Sequence, residues 1–297
     1  WESKPPIRER INRIKEIHNH NKPIDLYVHI PFCSKLCWYC GCKTEIRPEK
    51  NCYGENFIES LEKEIKQVSL NGKIQLKVSS LHLGGGTPTY LSESQLSRLM
   101  VLINRAFLIE PEAVLSVESN PETVNIAKLK TLWENGFTRV SFGIQDFNQK
   151  TQFAINREHS YEDVKDLIFR CREIGYKSVN LDLVYGLPHQ DQKSFLQSIK
   201  KVISLEPERV ALYNFAYLPK NIPHQRLINP KALPDPKENC QIFLQSSNLF
   251  KKHGFLHVGM DHFVKDDDSL AKAFINGTLQ RNFMGYVSNP SENLLGL

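Results

Sequence analysis

Short β-rich runs alternate with helical stripes along nearly the whole chain, and this alternation restricts the fold more than any single motif. The runs are DLYVHIPF (25–32), LKVSSLHL (76–83), AVLSVES (113–119), RVSFGIQ (139–145), SVNLDLVYG (178–186) and RVALYNFAY (209–217). Each is rich in β-branched or aromatic residues and is closed by turn or polar residues. Between them, Phe57, Leu61, Ile65 and Val68 share one helical face, and Leu96, Leu99, Met100, Ile103 and Phe107 share another. Ser92 and Gln95 have the spacing of a capping box for that second helix. Val164, Leu167, Ile168, Cys171 and Ile174 make a third stripe, with Gly175 as its C-cap, and Phe195, Ile199, Val202 and Ile203 a fourth. Strand–helix alternation repeated six times predicts an α/β fold of parallel strands joined by right-handed crossovers. The strands read as near-continuous apolar runs, which fits a sheet covered on its outer face.

With 297 residues the length alone suggests two domains, yet α/β barrels run as one domain at about 200–250 residues. No repeat, low-complexity segment or Gly/Ser linker divides the chain, and Ile7, Ile11 and Ile14 suggest a short amphipathic helix in the lead-in. The formal charge of +5 and pI near 8.7 suit an acidic small molecule or phosphate-bearing partner, or simply a lysine-rich surface. No basic run of the kind that binds nucleic acid is present. No stretch approaches the ~20 apolar residues of a membrane span, and the start, WESKPPIRER, is too polar for a signal peptide. A cytoplasmic protein is expected, with Trp1 in place of a methionine indicating a trimmed N-terminus. In that compartment thiols stay reduced, so clustered cysteines signal metal or redox chemistry.

Folds of this class carry their chemistry at the C-terminal ends of the strands. The residues there are Cys33 onward, the Gly84–Thr87 loop, Glu118, Gln145, Asp182 and Asn214. Any one of them could merely cap a loop, but six successive strands each end in a usable group. The first is followed by PFCSKLCWYCGC (31–42), which holds four of the seven cysteines. Zinc sites commonly pair cysteines at two separated places, whereas Cys33, Cys37 and Cys40 are packed as C-x₃-C-x₂-C on one loop. That spacing suits three irons of one cubane cluster; a zinc knuckle is the alternative. Compartment and crowding oppose a disulfide. Three thiolates would leave one iron of a [4Fe–4S] cluster open. Cys42, so soon after Cys40, is expected nearby but not ligating.

C-x₃-C-x₂-C with an aromatic residue, Tyr39, before its last cysteine resembles the signature of radical S-adenosylmethionine (SAM) enzymes. Within them the chain resembles the oxygen-independent coproporphyrinogen III oxidases. The resemblance is carried by LYVHIPFC (26–33), LCWYCGCK (36–43), HLGGGTPTY (82–90), SFGIQDFN (141–148), INRE (155–158), NLDLVYGLP (180–188), YNFAYLP (213–219), GMDHF (259–263) and RNFMGY (281–286). GMDHF and the CGC run favour this family over the related haem chaperones. The resemblance implies a partial, three-quarter TIM-like (β/α)6 barrel over 25–254, a lead-in over 1–24 and a C-terminal extension over 255–297 that is truncated relative to the family.

It also implies a [4Fe–4S] cluster on Cys33, Cys37 and Cys40 and two SAM molecules. Tyr27, Gly85 and Glu118 would meet the first. Tyr39, Gly86, Thr87, Gln145, Arg157, Asp182 and Ala216 would hold the second, and Gly41 joins the cofactor-binding set. Asp182, read as ending a strand, would accept from ribose hydroxyls; Arg157 would pair with a carboxylate, and its alternative is a surface salt bridge. The implied substrate is coproporphyrinogen III, two of whose propionates become vinyl groups to give protoporphyrinogen IX. An electron donor of unspecified identity is needed, and a monomer is expected. The competing readings are a haem-binding chaperone and a radical enzyme acting on another tetrapyrrole.

Other residues carry structural readings. Cys171 and Cys240 are expected in the core, the latter on a stripe with Phe243, Leu244 and Phe250. His29 is read as core packing, His262 as near substrate, His18 and His20 as exposed, and Cys52 as a loop thiol without a partner. Three departures from the family stand out: Met284 replaces a glutamine near the second SAM, the sequence stops at LLGL (294–297), and a tyrosine-rich N-terminal arm is not evident.

Overall fold

The computed structural model describes residues 6–48 and 53–297; Trp1 and Cys52 lie outside that range, as does the Ile7 side chain. Six parallel strands stand side by side in chain order: β1 (Ile24–Ile30), β2 (Leu76–Gly85), β3 (Phe107–Ser119), β4 (Arg139–Gln145), β5 (Ser178–Tyr185) and β6 (Arg209–Asn214). The segment expected as an appended extension joins both flanks of this sheet. β7 (Phe255–Val258) and β8 (His262–Lys265) form a hairpin whose second strand runs antiparallel to β6, and β9 (Leu294–Gly296) lies parallel to β1. The sheet therefore runs β9-β1-β2-β3-β4-β5-β6-β8-β7, with β9 and β7 as its two edges.

Nine helices are described: α1 (Ile7–Asn19), α2 (Tyr53–Val68), α3 (Glu93–Ala106), α4 (Ile126–Glu134), α5 (Gln149–Ala154), α6 (Tyr161–Ile174), α7 (Gln192–Ser204), α8 (Pro236–Lys252) and α9 (Ser269–Ile275). The expected capping box of α3 forms, with Ser92 accepting from the Gln95 amide and the Gln95 side chain returning to the Ser92 amide. Gly175 caps α6 at φ 112°, a left-handed conformation that glycine adopts without Cβ strain. Helix α4 was not expected. It buries only Leu129 and Leu132 among its large apolar residues, too few for a stripe, and starts on Asn125, whose side chain accepts from the Lys128 amide. Strand β3 starts six residues earlier than the AVLSVES run. Its register with β2 jumps from Val78–Ile109 to Ser80–Val114, and Pro111, which has no N–H for the ladder, lies in the jump.

The strands alternate rather than running apolar throughout. In β1, Leu26, Val28 and Ile30 are fully buried toward the helices, while Asp25, Tyr27 and His29 occupy the opposite face. The other strands repeat this pattern, and their inner face is polar: Ser80 and His82, Ser116 and Glu118, Arg139 and Ser141, Asn180 and Asp182, Arg209 and Tyr213 line a cavity of about 330 Å³. The outer face and helices share one core that includes Phe142, Leu181, Phe195 and Phe250; each such side chain contributes about 1.5–3 kcal/mol by leaving water.

Cys171 is fully buried there. Cys240 is not: it is exposed, as is Leu244. The buried line of α8 is Ile242, Ser246 and Phe250, and at about 100° per residue Cys240 lies about 120° and Leu244 about 160° around the helix from its middle residue, Ser246. His29 also departs from the core reading, because its position in β1 shares the inner face with Tyr27. His18 and His20 are exposed.

Candidate active site at the cysteine loop

The cysteine loop leaves the C-terminal end of β1 and is closed at its base by a two-residue pairing of Phe32–Cys33 with Glu45–Ile46. Three neighbours hold it. The turn after β2 pins its start through Gly86 N to Ile30 O (2.8 Å) and Thr87 N to Phe32 O (2.9 Å). The segment after α5 grips its middle, with Trp38 N donating to Ile155 O (3.0 Å) and the Asn156 side chain to Leu36 O (2.7 Å). A turn after β6 holds its end: Gln225 donates to both Tyr39 O (3.2 Å) and Ala216 O (3.1 Å), and His224 Nε2 meets Cys40 O at 2.7 Å.

Cys33 Sγ lies 3.4 Å from Thr87 Oγ1, and Arg157 donates to Cys37 Sγ at 3.6 Å. Burial pushes the Cys33 and Cys37 thiols up, and Arg157 opposes this at Cys37. The Cys42 thiol hydrogen bond lowers Cys40, while Cys42 is pushed up by the same bond and keeps its proton. The thiolate is the ligating form, so Cys40 is the better donor of that pair. Among the described residues, no three His, Cys, Asp or Glu side chains converge on a single metal ion. The loop offers sulfur donors alone, the set that soft metals and iron–sulfur clusters take.

Two polar groups flank the loop. In the first, Glu118 accepts from Gly85 N (3.2 Å) and meets His82 Nε2 (3.1 Å). Tyr27 stacks on His82 and bonds His29 Nδ1 through its hydroxyl (3.0 Å). A Cβ on Gly84 would come within 3.1 Å of both Tyr27 and Glu118, and one on Gly86 within 2.8 Å of the Pro31 carbonyl. These glycines let main chain approach where a side chain would intrude. In the second group, Arg157 is buried and donates to the Gly143 carbonyl, and its Nε has no partner among the described residues. Gln145, buried at φ 66°, folds back over Gly143. Tyr39 packs on Ile155, Val184 and Leu187, and burial holds its hydroxyl well above its usual pKa.

Some site expectations shift. Asp182 does not end its strand: it lies inside β5, level with Gly143, and faces the cavity. Its carboxylate accepts from Ser141 (2.7 Å) and Asn180 (2.8 Å), and burial raises its pKa. Arg157 is no surface salt bridge, since burial and the Gly143 and Cys37 contacts take that place. Ala216 is exposed beside the loop, joined to Tyr39 through Gln225. Gly41 is exposed, with Ile222 as its nearest neighbour. His262 lines the cavity, bonded to Asp261 at 2.7 Å. Met284 also lines it, but its hairpin (Gln280–Asn282 with Gly285–Val287) places Phe283 edge-on to Tyr27, on the side of the first group. His82, Asn156, His224 and Gln225 were not anticipated. The alternation of β2 would have exposed His82; the other three sit in turns with no periodic signal.

The pattern of the radical SAM superfamily matches residues 27–202, from β1 into α7, and so takes in the cysteine loop and both polar groups. The chain belongs to the radical SAM superfamily. Radical SAM proteins use a [4Fe–4S] cluster and SAM, and a loop of three thiols beside a glycine-lined cleft has the donors such a cluster takes. The oxygen-independent coproporphyrinogen III oxidase of Escherichia coli K12 is 40% identical over 278 residues, which is 93% of this chain and 60% of that protein. The corresponding protein of Synechocystis is 40% identical over 279 residues, with 94% and 60% covered. The solved coproporphyrinogen III oxidase HemN of Escherichia coli, described as a radical SAM enzyme, superposes with TM-score 0.91 at 39% identity over 96% of this chain and 65% of that one. SuiB of Streptococcus suis bound to SAM shares the fold at TM-score 0.50 and 15% identity. This radical SAM chain thus spans about three fifths of the length of its curated relatives.

Proposed function

We propose that the protein carries out the anaerobic oxidative decarboxylation of two propionates of coproporphyrinogen III to vinyl groups, yielding protoporphyrinogen IX, in a reducing cytoplasm. One observation carries this reading: two polar groups, Tyr27–His82–Glu118–Gly85 and Arg157–Gln145–Gly143, border one thiol loop, and Glu118 also lines the cavity reached by Asp182, Tyr213 and His262. Relatives at 36–40% identity named for this reaction support it.

Side-chain acids and bases do not break an aliphatic C–H bond, so the hard step belongs to a cofactor. When bound, cluster and SAM supply a carbon-centred radical that can remove such a hydrogen atom. Cys33, Cys37 and Cys40 would hold the cluster and leave one iron free of protein sulfur. Glu118 and Tyr27 would orient one SAM, and Arg157, with an Nε still to be satisfied, would meet a carboxylate of a second as a charge-assisted hydrogen bond. Asp182 offers carboxylate oxygens to hydroxyl donors. Tyr39 and its apolar neighbours Ile155, Val184 and Leu187 keep water from the loop.

The test is anaerobic reconstitution with iron and sulfide, then product analysis after adding SAM, reductant and coproporphyrinogen III. Protoporphyrinogen IX is the expected product. Tight haem binding without SAM cleavage would replace this reading with a binding role, and cleavage of SAM with the substrate untouched would point to another tetrapyrrole.

A further inference from the structure

Strands β4 and β6 open alike, with Arg139 before Val140 and Arg209 before Val210, and both arginines line the inner cavity. They flank β5, Arg139 level with Ser178 and Arg209 with Asn180, at the end of the sheet away from the cysteine loop. Among the described residues no other arginine or lysine lines that cavity. The two charges are met differently. Arg209 makes a bidentate pair with Asp268, at 2.7 and 2.8 Å. Asp268 also accepts from Leu270 N at 2.7 Å, at the start of α9, so both of its oxygens are engaged. Arg139 has no carboxylate. Its one side-chain hydrogen bond among the described residues goes to Ser269 Oγ at 3.2 Å, a neutral acceptor that Arg209 shares at the same distance.

The acidic residues of the cavity do not fill this place. Ser116 is the β3 residue level with Arg139, so Glu112 and Glu110 lie four and six residues back along that strand, past the start of β4. Asp182 is held by Ser141 and Asn180, and Glu118 by His82 and Gly85. Among the described residues none of them forms an ion pair with Arg139. Burial, then the Arg209 charge, lowers the Arg139 pKa to about 10, so a cation is kept in a partly desolvated place with no anion beside it. Its height in the cavity is fixed by the strand. Ser141, level with Glu118, is two residues on, and Gly143, which holds Arg157, is four residues on. At about 3.3 Å per residue these lie about 7 and 13 Å from Arg139. An anion seated on Arg139 therefore belongs to a ligand whose reacting end lies elsewhere.

We propose that Arg139 is a substrate-binding residue that receives a propionate carboxylate of the tetrapyrrole, one that survives the reaction, at the deep end of the cavity. The proposal rests on the reading of coproporphyrinogen III as substrate, which carries more propionates than the two that react. The guanidinium fork suits a carboxylate through charge-assisted hydrogen bonds. Held there, one arm of the macrocycle sets which rings face the cysteine loop.

The test is anaerobic equilibrium dialysis of the reconstituted protein against coproporphyrinogen III, with SAM present and no reductant, so that nothing turns over. Arg139→Gln is expected to weaken binding roughly tenfold or more. Arg139→Lys should recover part of the loss, because lysine restores the charge but not the planar fork. The tetramethyl ester of the substrate, whose arms carry no charge, should bind the wild type and Arg139→Gln equally. Chemical denaturation separates binding from a structural role. Arg139→Gln should keep or raise the midpoint, since it removes an uncompensated charge, whereas Arg209→Gln should lower it by stranding the Asp268 carboxylate. Equal affinity of the wild type and Arg139→Gln for the free acid would overturn the proposal. So would an ester that discriminates between them as strongly as the acid, or a midpoint that falls as far in Arg139→Gln as in Arg209→Gln. A wild type that binds no coproporphyrinogen III would count against the proposed function and take the subsite with it, whereas wild-type binding that survives Arg139→Gln unchanged would count against the subsite alone.

Discussion

At the scale of single residues, the thiols divide by what surrounds them. Cys33 and Cys37 are half-buried against Thr87 and Arg157, while Cys42 is exposed and serves its neighbour as a hydrogen-bond donor. Cys33→Ala, Cys37→Ala or Cys40→Ala should each abolish the cluster's visible absorbance after reconstitution, and Cys42→Ala should leave most of it. The glycines divide as sharply. A methyl on Gly86 would meet main-chain atoms of Pro31 and Phe32 at 2.8 Å, which cannot rotate away, whereas one on Gly41 would meet Ile222 at an ordinary 3.6 Å. Gly86→Ala is therefore expected to cost about 1–3 kcal/mol of unfolding free energy by overpacking, and Gly41→Ala to stay within about 0.5 kcal/mol, both read by chemical denaturation. Spacing alone revealed the cysteines, since three thiols on one short loop have few uses. It did not reveal Gln225 or His224, which act through backbone carbonyls of a loop far away in sequence.

At the scale of elements, the apolar stripes of α2, α3, α6 and α7 were legible because each buries several large residues at helical spacing. Helix α4 and the early part of β3 were not, because two buried leucines do not make a stripe and Pro111 reads as a turn. Cys240 was misread by grouping residues whose helical angles disagree. The short helix α5 and the turn behind it pack His159 against Phe147, with its Nε2 accepting from Gln152 and its Nδ1 unpartnered among the described residues. Burial, then the nearby Arg157 charge, depresses its pKa from 6.5 to about 3. Between those values the unfolded chain binds a proton that the folded chain refuses. This part of the stability is intact above the unfolded value and is lost as pH falls toward the folded one, by up to about 1.4 kcal/mol per pH unit. Denaturation midpoints measured from pH 6.5 down to 4 should fall accordingly, and His159→Gln should flatten that slope.

At the scale of the whole molecule, the parallel order of six strands followed from alternation of the sequence, but the role of the last forty residues did not. Antiparallel addition at β6 and parallel addition at β1 involve strands of three or four residues, too short to show a period. What ties in the segment that leads to the β1 edge is Asp25, fully buried on the inner face of β1. Its carboxylate accepts from Ser80 (2.6 Å) and Ser79 (3.3 Å) of β2, and from the Asn282 side chain and Ser291 amide (3.2 Å each) of the C-terminal segment. Asp25→Asn would turn an acceptor into a partial donor facing donors. It should cost about 1–3 kcal/mol, with hydrogen exchange rising first in residues 280–297.

The central claim is that three cysteines hold a cubane whose fourth iron is free to chelate SAM. Electron–nuclear double resonance on the reduced, reconstituted protein, with SAM labelled in its amino nitrogen and carboxylate oxygens, tests it most directly. The account predicts hyperfine coupling of both labels to the cluster, present in Cys42→Ala and absent when SAM is withheld. A cluster spectrum that SAM leaves unchanged, or a loop that binds zinc in place of iron and sulfide, would contradict it.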